Sequence, residues 1–210
     1  MMRIDSLAAA PDRLGRHRVT FSNGETMKLY RQTVEDFGLF PGLELTDERF
    51  AALKEHAGAV SAKMRAVRIV AASNVSKGDL KNRLIHKGED PRQAAQAVAW
   101  MEELKLVDDR ETARQIAARC AAKGYGPARV KQALYEKRIP KACWEEVLAD
   151  YPDQTDYILK FLRSKIKDFE DRDQVRKAIG ALMRRGHSYN QVRSALNRLG
   201  GDSGGFPEDL

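Results

Sequence analysis

Cysteine is almost missing from this 210-residue chain: Cys120 and Cys143 are the only two, and they stand at no metal-ligand or redox spacing. A disulfide framework is therefore excluded, and a reducing cytoplasm with both thiols as small core residues is the expected setting. No apolar run approaches the ~20 residues that a membrane span needs, so no membrane association is expected. The opening "MMRIDSLAAAPDRLGR" lacks a charged region followed by an apolar core, so no secretory signal is expected. His17, His56, His86 and His187 are scattered, without the paired spacing that holds a metal. A phosphate loop of the Gly-x-x-x-x-Gly-Lys-Ser/Thr type is also absent. With no nucleophile, metal or cofactor constellation, the chain is expected to be a binding protein without a cofactor rather than an enzyme.

What the chain does have is charge, unevenly placed. The net charge is +7, yet residues 1–60 carry 8 basic against 9 acidic side chains and the remainder carries 29 against 21. From Asp171 to Arg198 there are seven cations and two carboxylates. Such asymmetry points to an anionic partner for the C-terminal part.

The first third reads differently from the rest. "RHRVTF" and "TMKLY" flank Asn23-Gly24, the dipeptide that supplies positive φ at a tight hairpin turn. "FPGLEL" reads as a turn and a third extended piece, and Thr46 caps a helix opened by Asp47 and Glu48. Residues 16–58 are thus expected to form a small β-containing unit, preceded by a flexible stretch over 1–15.

From Val60 to Leu199 helix starts and stops arrive in quick succession. Ser76–Asp79, Asp108–Glu111 and Ser188–Gln191 have the spacing of capping boxes, a role that also accounts for the adjacent carboxylates Asp108 and Asp109. Pro91, Pro127 and Pro140 stand where helices begin, and Gly88, Gly124 and Gly186 where they end. Helices of about 11 to 16 residues are expected. Superposing the sequence on Gly88, Arg138 and Gly186 exposes a repeat. Leu84, Leu134 and Leu182 lie four residues before these positions, and Lys87, Lys137 and Arg185 one before. Ala94, Trp144 and Val192 lie six after; Val98, Leu148 and Leu196 lie ten after. Each unit has room for one more helix upstream, near Ala62–Ser73, Asp109–Ala122 and Gln154–Lys167. The expected fold is mainly α: three tandem three-helix modules over 60–107, 108–151 and 153–199, forming an elongated curved molecule, with a flexible tail over 200–210. Arg138 stands where glycine is the easier left-handed cap, so the middle turn is expected to differ in geometry.

The segments "SKGDLKNRLIHKGEDPRQAAQAVAWMEELKLVDDRETA", "KGYGPARVKQALYEKRI" and "RKAIGALMRRGHSYNQVRSAL" resemble the RecX family of bacterial recombinase regulators. Ser76, Leu80, Leu84, Lys87, Gly88, Leu104, Leu106, Val107, Asp108, Asp109, Gly126, Val130, Leu134, Arg185 and Gly186 match its pattern in order. The chain departs from it in "DDRETA", at Arg138-Ile139 and at Gly186-His187. The resemblance implies a protein that binds the RecA filament on single-stranded DNA along its groove and reduces ATP hydrolysis and strand exchange, regulating recombination, DNA repair and the SOS response. The protein is expected to be a monomer. Contact candidates for RecA or DNA are Lys77, Lys81, Arg83 and Lys87 in the first module. Lys123, Tyr125, Arg129, Lys131 and Lys137 are the candidates in the second, and Arg176, Lys177, Arg184, Arg185 and Arg193 in the third. The alternative reading is a stand-alone basic helical DNA-binding protein that competes for DNA, although "PRQAAQAVAW" offers few side chains suited to base edges.

Overall fold

The computed structural model describes residues 1–199; the expected flexible tail lies outside the described residues. Four strands form one antiparallel sheet in the order β3-β2-β1-β4, with β1 Met2–Leu7, β2 Arg16–Phe21, β3 Thr26–Tyr30 and β4 Glu44–Leu45. The Asn23-Gly24 turn joins β2 to β3 as expected: Gly24 has φ +82°, and the Asn23 side chain accepts a 2.9 Å bond from the Glu25 amide. The short helix α1 Arg31–Asp36 follows.

The first residues overturn an expectation. Instead of a flexible stretch, β1 pairs with both β2 and β4, and Ile4 is fully buried. Its register slips between Ile4 and Ser6, so the inside–outside alternation that announces a strand is broken in the sequence.

Helix α2, Asp47–Ala72, is the second departure. It is capped by Thr46, whose hydroxyl accepts from the Arg49 amide at 3.2 Å. No proline or left-handed residue interrupts the next 26 positions, so the helix runs on for about 39 Å. The expected helix over Ala62–Ser73 is its second half, and the boundary expected near residue 59 falls inside it. Leu53 closes the sheet core with Ile4, Val19, Phe21, Leu29, Leu39 and Leu45. Ala62 and Ala66, two turns on, belong to the next core. The sheet and the first helical module therefore form one compact unit ending at Val107.

That module is completed by α3 Lys77–His86 and α4 Pro91–Glu103, which bury Leu80, Leu84, Ala94, Ala97, Val98 and Met101 against α2. Its small alanines permit close packing. Gly58 has no room for a Cβ beside the Gln93 side chain, whose amide donates to the Glu55 carbonyl at 3.2 Å.

A second compact unit begins at Asp108 and contains two further modules. The first comprises α5 Asp109–Ala122, α6 Pro127–Glu136 and a short α7 Trp144–Ala149 entered through a 3₁₀ turn. The other comprises α8 Thr155–Lys165, α9 Arg172–Arg184 and α10 Tyr189–Arg198. Each has its own core: Ala113, Cys120, Val130, Leu134, Ile139 and Val147 in one, and Ile158, Leu162, Ile179, Leu182, Val192 and Leu196 in the other. Each fully buried Leu or Ile contributes roughly 1.5–3 kcal/mol. Helix lengths run from 6 to 26 residues, a wider range than expected.

The repeated breaks share one geometry. After α3, Glu89 N–H donates to the Leu84 carbonyl and Gly88 N–H to that of Ile85. After α6 the same pair links Ile139 to Leu134 and Arg138 to Tyr135; after α9 it links His187 to Leu182 and Gly186 to Met183. This is the Schellman motif, whose stop residue is left-handed. Gly88 and Gly186 have φ +88° and +90°, and Arg138 adopts +55°. The middle turn is thus the same turn, made with a residue that resists it, and the expected difference in geometry does not occur. Of the three N-terminal caps, Ser188–Gln191 forms both halves of a capping box; the Ser76 and Asp108 side chains accept backbone N–H groups of the first turn.

Candidate interaction surface

The fourteen candidate side chains do not form one surface. In the first module Lys77 Nζ lies 2.7 Å from Glu102, and Arg83 lies 2.9 Å from Asp79 while also donating to the Ser73 hydroxyl. These two cations are balanced locally. Lys81 and Lys87 project into solvent and form no side-chain ion pair or hydrogen bond among the described residues. In the third module Arg176 pairs with Asp173 at 2.6 Å. Lys177, Arg184 and Arg193 are exposed. In the second, Lys123, Lys131 and Lys137 are exposed, while Arg129 donates to Gln132.

Tyr125, Arg129 and Arg185 are brought together, but by packing between the second and third modules. The turn after α9 seats against the turn before α6. Gly126 N–H donates to the Arg185 carbonyl at 2.9 Å, and Ala128 N–H to the Gly186 carbonyl at 3.2 Å. No side chain fits there: a Cβ on Gly126 would strike the Gly186 carbonyl, and one on Gly186 the Arg129 backbone. The Arg185 guanidinium donates to the Tyr157 hydroxyl at 2.6 Å. It also lies over the rings of Tyr125, Tyr157 and Phe161 at 5.9, 5.8 and 5.4 Å. Three π faces around one half-buried cation make this a favourable contact. It also withdraws Arg185 from the set of cations free to meet a partner.

His187 completes the joint. Its ring is buried, stacks on Tyr157, and places Nε2 3.0 Å from the Gly124 carbonyl. The carbonyl can only accept, so Nε2 carries the proton and Nδ1 does not. Nδ1 is buried without a hydrogen-bond partner among the described residues. Burial lowers the imidazole pKa, the Gly124 carbonyl pulls it back upward, and nearby Arg185 lowers it further. Beside this joint the Tyr151 hydroxyl donates to the Tyr125 carbonyl at 2.7 Å, and burial pushes its pKa up to about 12.

Sequence reasoning missed Tyr157, Phe161 and His187. A signal existed for His187, because it follows Gly186 as the buried Ile139 follows Arg138, at the position that faces inward in each Schellman turn.

Burial raises the Cys120 thiol pKa, which favours the unreactive protonated form. Among the described residues no group of three His, Cys, Asp or Glu side chains is placed to hold a metal. Among them, too, no helix is long and apolar enough to cross a membrane.

The helical modules have close counterparts. The family model described as "RecX, second three-helix domain" matches residues 108–148, the span of α5 to α7. The regulatory protein RecX of Vibrio parahaemolyticus is 26% identical over 147 residues, covering 69% of this chain and 95% of that protein. The protein of the same name from Clostridioides difficile is 23% identical over 177 residues, covering 81% and 83%. A crystal structure of regulatory protein RecX superposes with a TM-score of 0.66 at 16% identity, covering 94% of this chain and all of the other, a likeness of fold. The helical repeat, the modular match and the alignment to these relatives together make the chain similar to the RecX regulatory proteins and support its reading as one of them.

Proposed function

We propose that this protein is a negative regulator of RecA, binding the groove of the RecA filament on single-stranded DNA and inhibiting its ATPase and strand-exchange activities. The observation that carries the reading is the thrice-repeated turn with exposed cations beside it: Lys81 and Lys87, Lys131 and Lys137, and Arg184. Each module offers the same main-chain scaffold and its own positive charge, an arrangement suited to a partner that is itself repetitive and acidic. Phosphates and carboxylates both answer that description, and direct DNA contact is part of the proposal. Binding is the whole of the function proposed, exercised by a monomer in the cytoplasm, with recombination and DNA repair as the processes modulated.

The test is RecA's single-stranded-DNA-dependent ATP hydrolysis, titrated with this protein at two salt concentrations. Inhibition well below the amount that covers the DNA supports the reading. Inhibition only at DNA-saturating amounts, relieved by added DNA, would instead fit a stand-alone DNA binder acting by competition. Charge reversal is best placed at Lys81 and Arg184, because Arg83 and Arg185 have internal partners whose loss would disturb the fold.

A further inference from the structure

Each repeated turn presents one large apolar side chain to solvent at the same place. The residue three before each left-handed position is Ile85, Tyr135 or Met183, exposed by 38%, 74% and 42%. The residue before it, Leu84, Leu134 or Leu182, is fully buried. One step of the helix, about 100°, separates the two, so the inward leucine fixes the outward direction of its neighbour.

The turn does not demand this. Helices α4 and α5 end with the same pair of backbone bonds, closed by Leu106 to Met101 and by Tyr125 to Cys120. Their equivalent positions are Glu102 and Ala121. Only the second helix of each module carries a bulky apolar residue there. Across residues 108–199, Tyr135 and Met183 are the only large apolar side chains that are exposed. Scattered exposed apolar residues are ordinary, and the first module exposes Met64, Val67, Leu104 and Leu106 besides Ile85, but the recurrence of one at this same register in all three modules is not accounted for by packing.

We infer that Ile85, Tyr135 and Met183 are equivalent anchors for a polymeric protein partner whose identical subunits each offer an apolar socket rimmed by carboxylates. The repetition indicates a partner with repeated sockets. The rim chemistry follows from the cations beside each anchor: Lys81 and Lys87 flank Ile85, Lys131 and Arg138 flank Tyr135, and Arg184 adjoins Met183. The differing shapes of the three anchors require a socket that is tolerant in form and selective in charge. This inference rests on the reading of the protein as a RecA filament regulator and assigns the energetic centre of that contact to apolar side chains, with the cations as its rim.

The experiment combines Ile85→Ser, Tyr135→Ser and Met183→Ser in the full chain, with RecA filament on single-stranded DNA as the probe. A second triple variant, Ile85→Leu, Tyr135→Phe and Met183→Leu, keeps apolar bulk. The serine variant is expected to need about ten-fold more protein for half-inhibition of ATP hydrolysis. Its affinity for bare single-stranded DNA and its urea midpoint should match those of the parent, and the conservative variant should inhibit as the parent does. Unchanged inhibition by the folded serine variant overturns the inference and leaves the regulatory reading standing. Loss of bare-DNA affinity in step with inhibition also overturns it, since the anchors would then stack on bases. If the parent chain itself fails to inhibit, both readings fall.

Discussion

Gly126 and Gly186 meet backbone to backbone, the Gly186 carbonyl occupying the space that a side chain on Gly126 would need. This contact lies inside one compact unit that joins two small modules, each with a limited core. The Gly126 backbone has φ −84°, which any residue adopts, so its requirement for glycine is one of space alone. Gly126→Ala is expected to destabilise the protein by about 1–3 kcal/mol through overpacking. Gly180, inside α9, supplies the opposite case, because a Cβ there meets only the far end of the Arg184 side chain at 3.4 Å. Gly180→Ala should stabilise by about 0.5–1 kcal/mol. Urea unfolding of both variants checks the pair of signs, and a neutral Gly126→Ala would show that the modules separate freely.

Arg138 holds φ +55° at an exposed turn where its counterparts are glycines. The left-handed conformation costs a residue with a Cβ about 1–2 kcal/mol, partly offset because glycine loses more chain entropy on folding. Arg138→Gly should therefore stabilise the second module by up to about 1 kcal/mol. The readout is a higher urea midpoint at unchanged slope. A lower midpoint would mean that the arginine side chain contributes more than its backbone costs.

Arg138 also marks the limit of what the sequence made legible. The leucine and cation before each turn gave the repeat and the three-helix modules, because the Schellman turn imposes that spacing on any sequence that forms it. The identity of the stop residue suggested a different middle turn, since propensity spoke against arginine and the buried Leu134 and Ile139 decided otherwise. Strand β1 was hidden by its bulge, and the length of α2 by the lack of an internal cap. The candidate cations were readable as charge, but not as partners. Arg185 lies 28 residues from Tyr157 in the chain, and only the packing of α8 beneath the α9 turn joins them.

Glu89 is the one buried carboxylate in the first module's turn, paired with Arg65 at 2.6 Å and accepting from the Ser61 hydroxyl at 3.0 Å. The same guanidinium donates to the Lys87 carbonyl, so a single ion pair fastens the α3 stop to α2. Glu89→Ala leaves the Arg65 charge without its counter-ion, and a loss of about 3 kcal/mol is expected, Arg65 being partly reachable by water. Replacing both residues, Arg65→Met with Glu89→Leu, should recover most of that loss. The double-mutant cycle checks this, and additive losses would show that the two residues do not act as a pair.

His187 gives the joint of the second and third modules a defined response to acid. The native ring is held below the ordinary value of 6.5, chiefly by burial, so the unfolded chain takes up a proton at a pH where the folded chain does not. Stability therefore falls as pH drops through about 6.5 and levels off below the native pKa; above that window the ring is neutral in both states and contributes no pH dependence. Protonation in place would put a second N–H on the unpartnered Nδ1, beside the Arg185 guanidinium. His187→Gln keeps an N–H donor for the Gly124 carbonyl and cannot take up that proton. Urea unfolding of the parent and the variant at about pH 5.5 and 7.5 isolates the effect, since the remaining titrations cancel in the difference. The parent should lose stability relative to the variant at the lower pH. An equal difference at both values would mean that His187 titrates alike in the folded and unfolded chains, and that its burial in the joint does not keep it neutral.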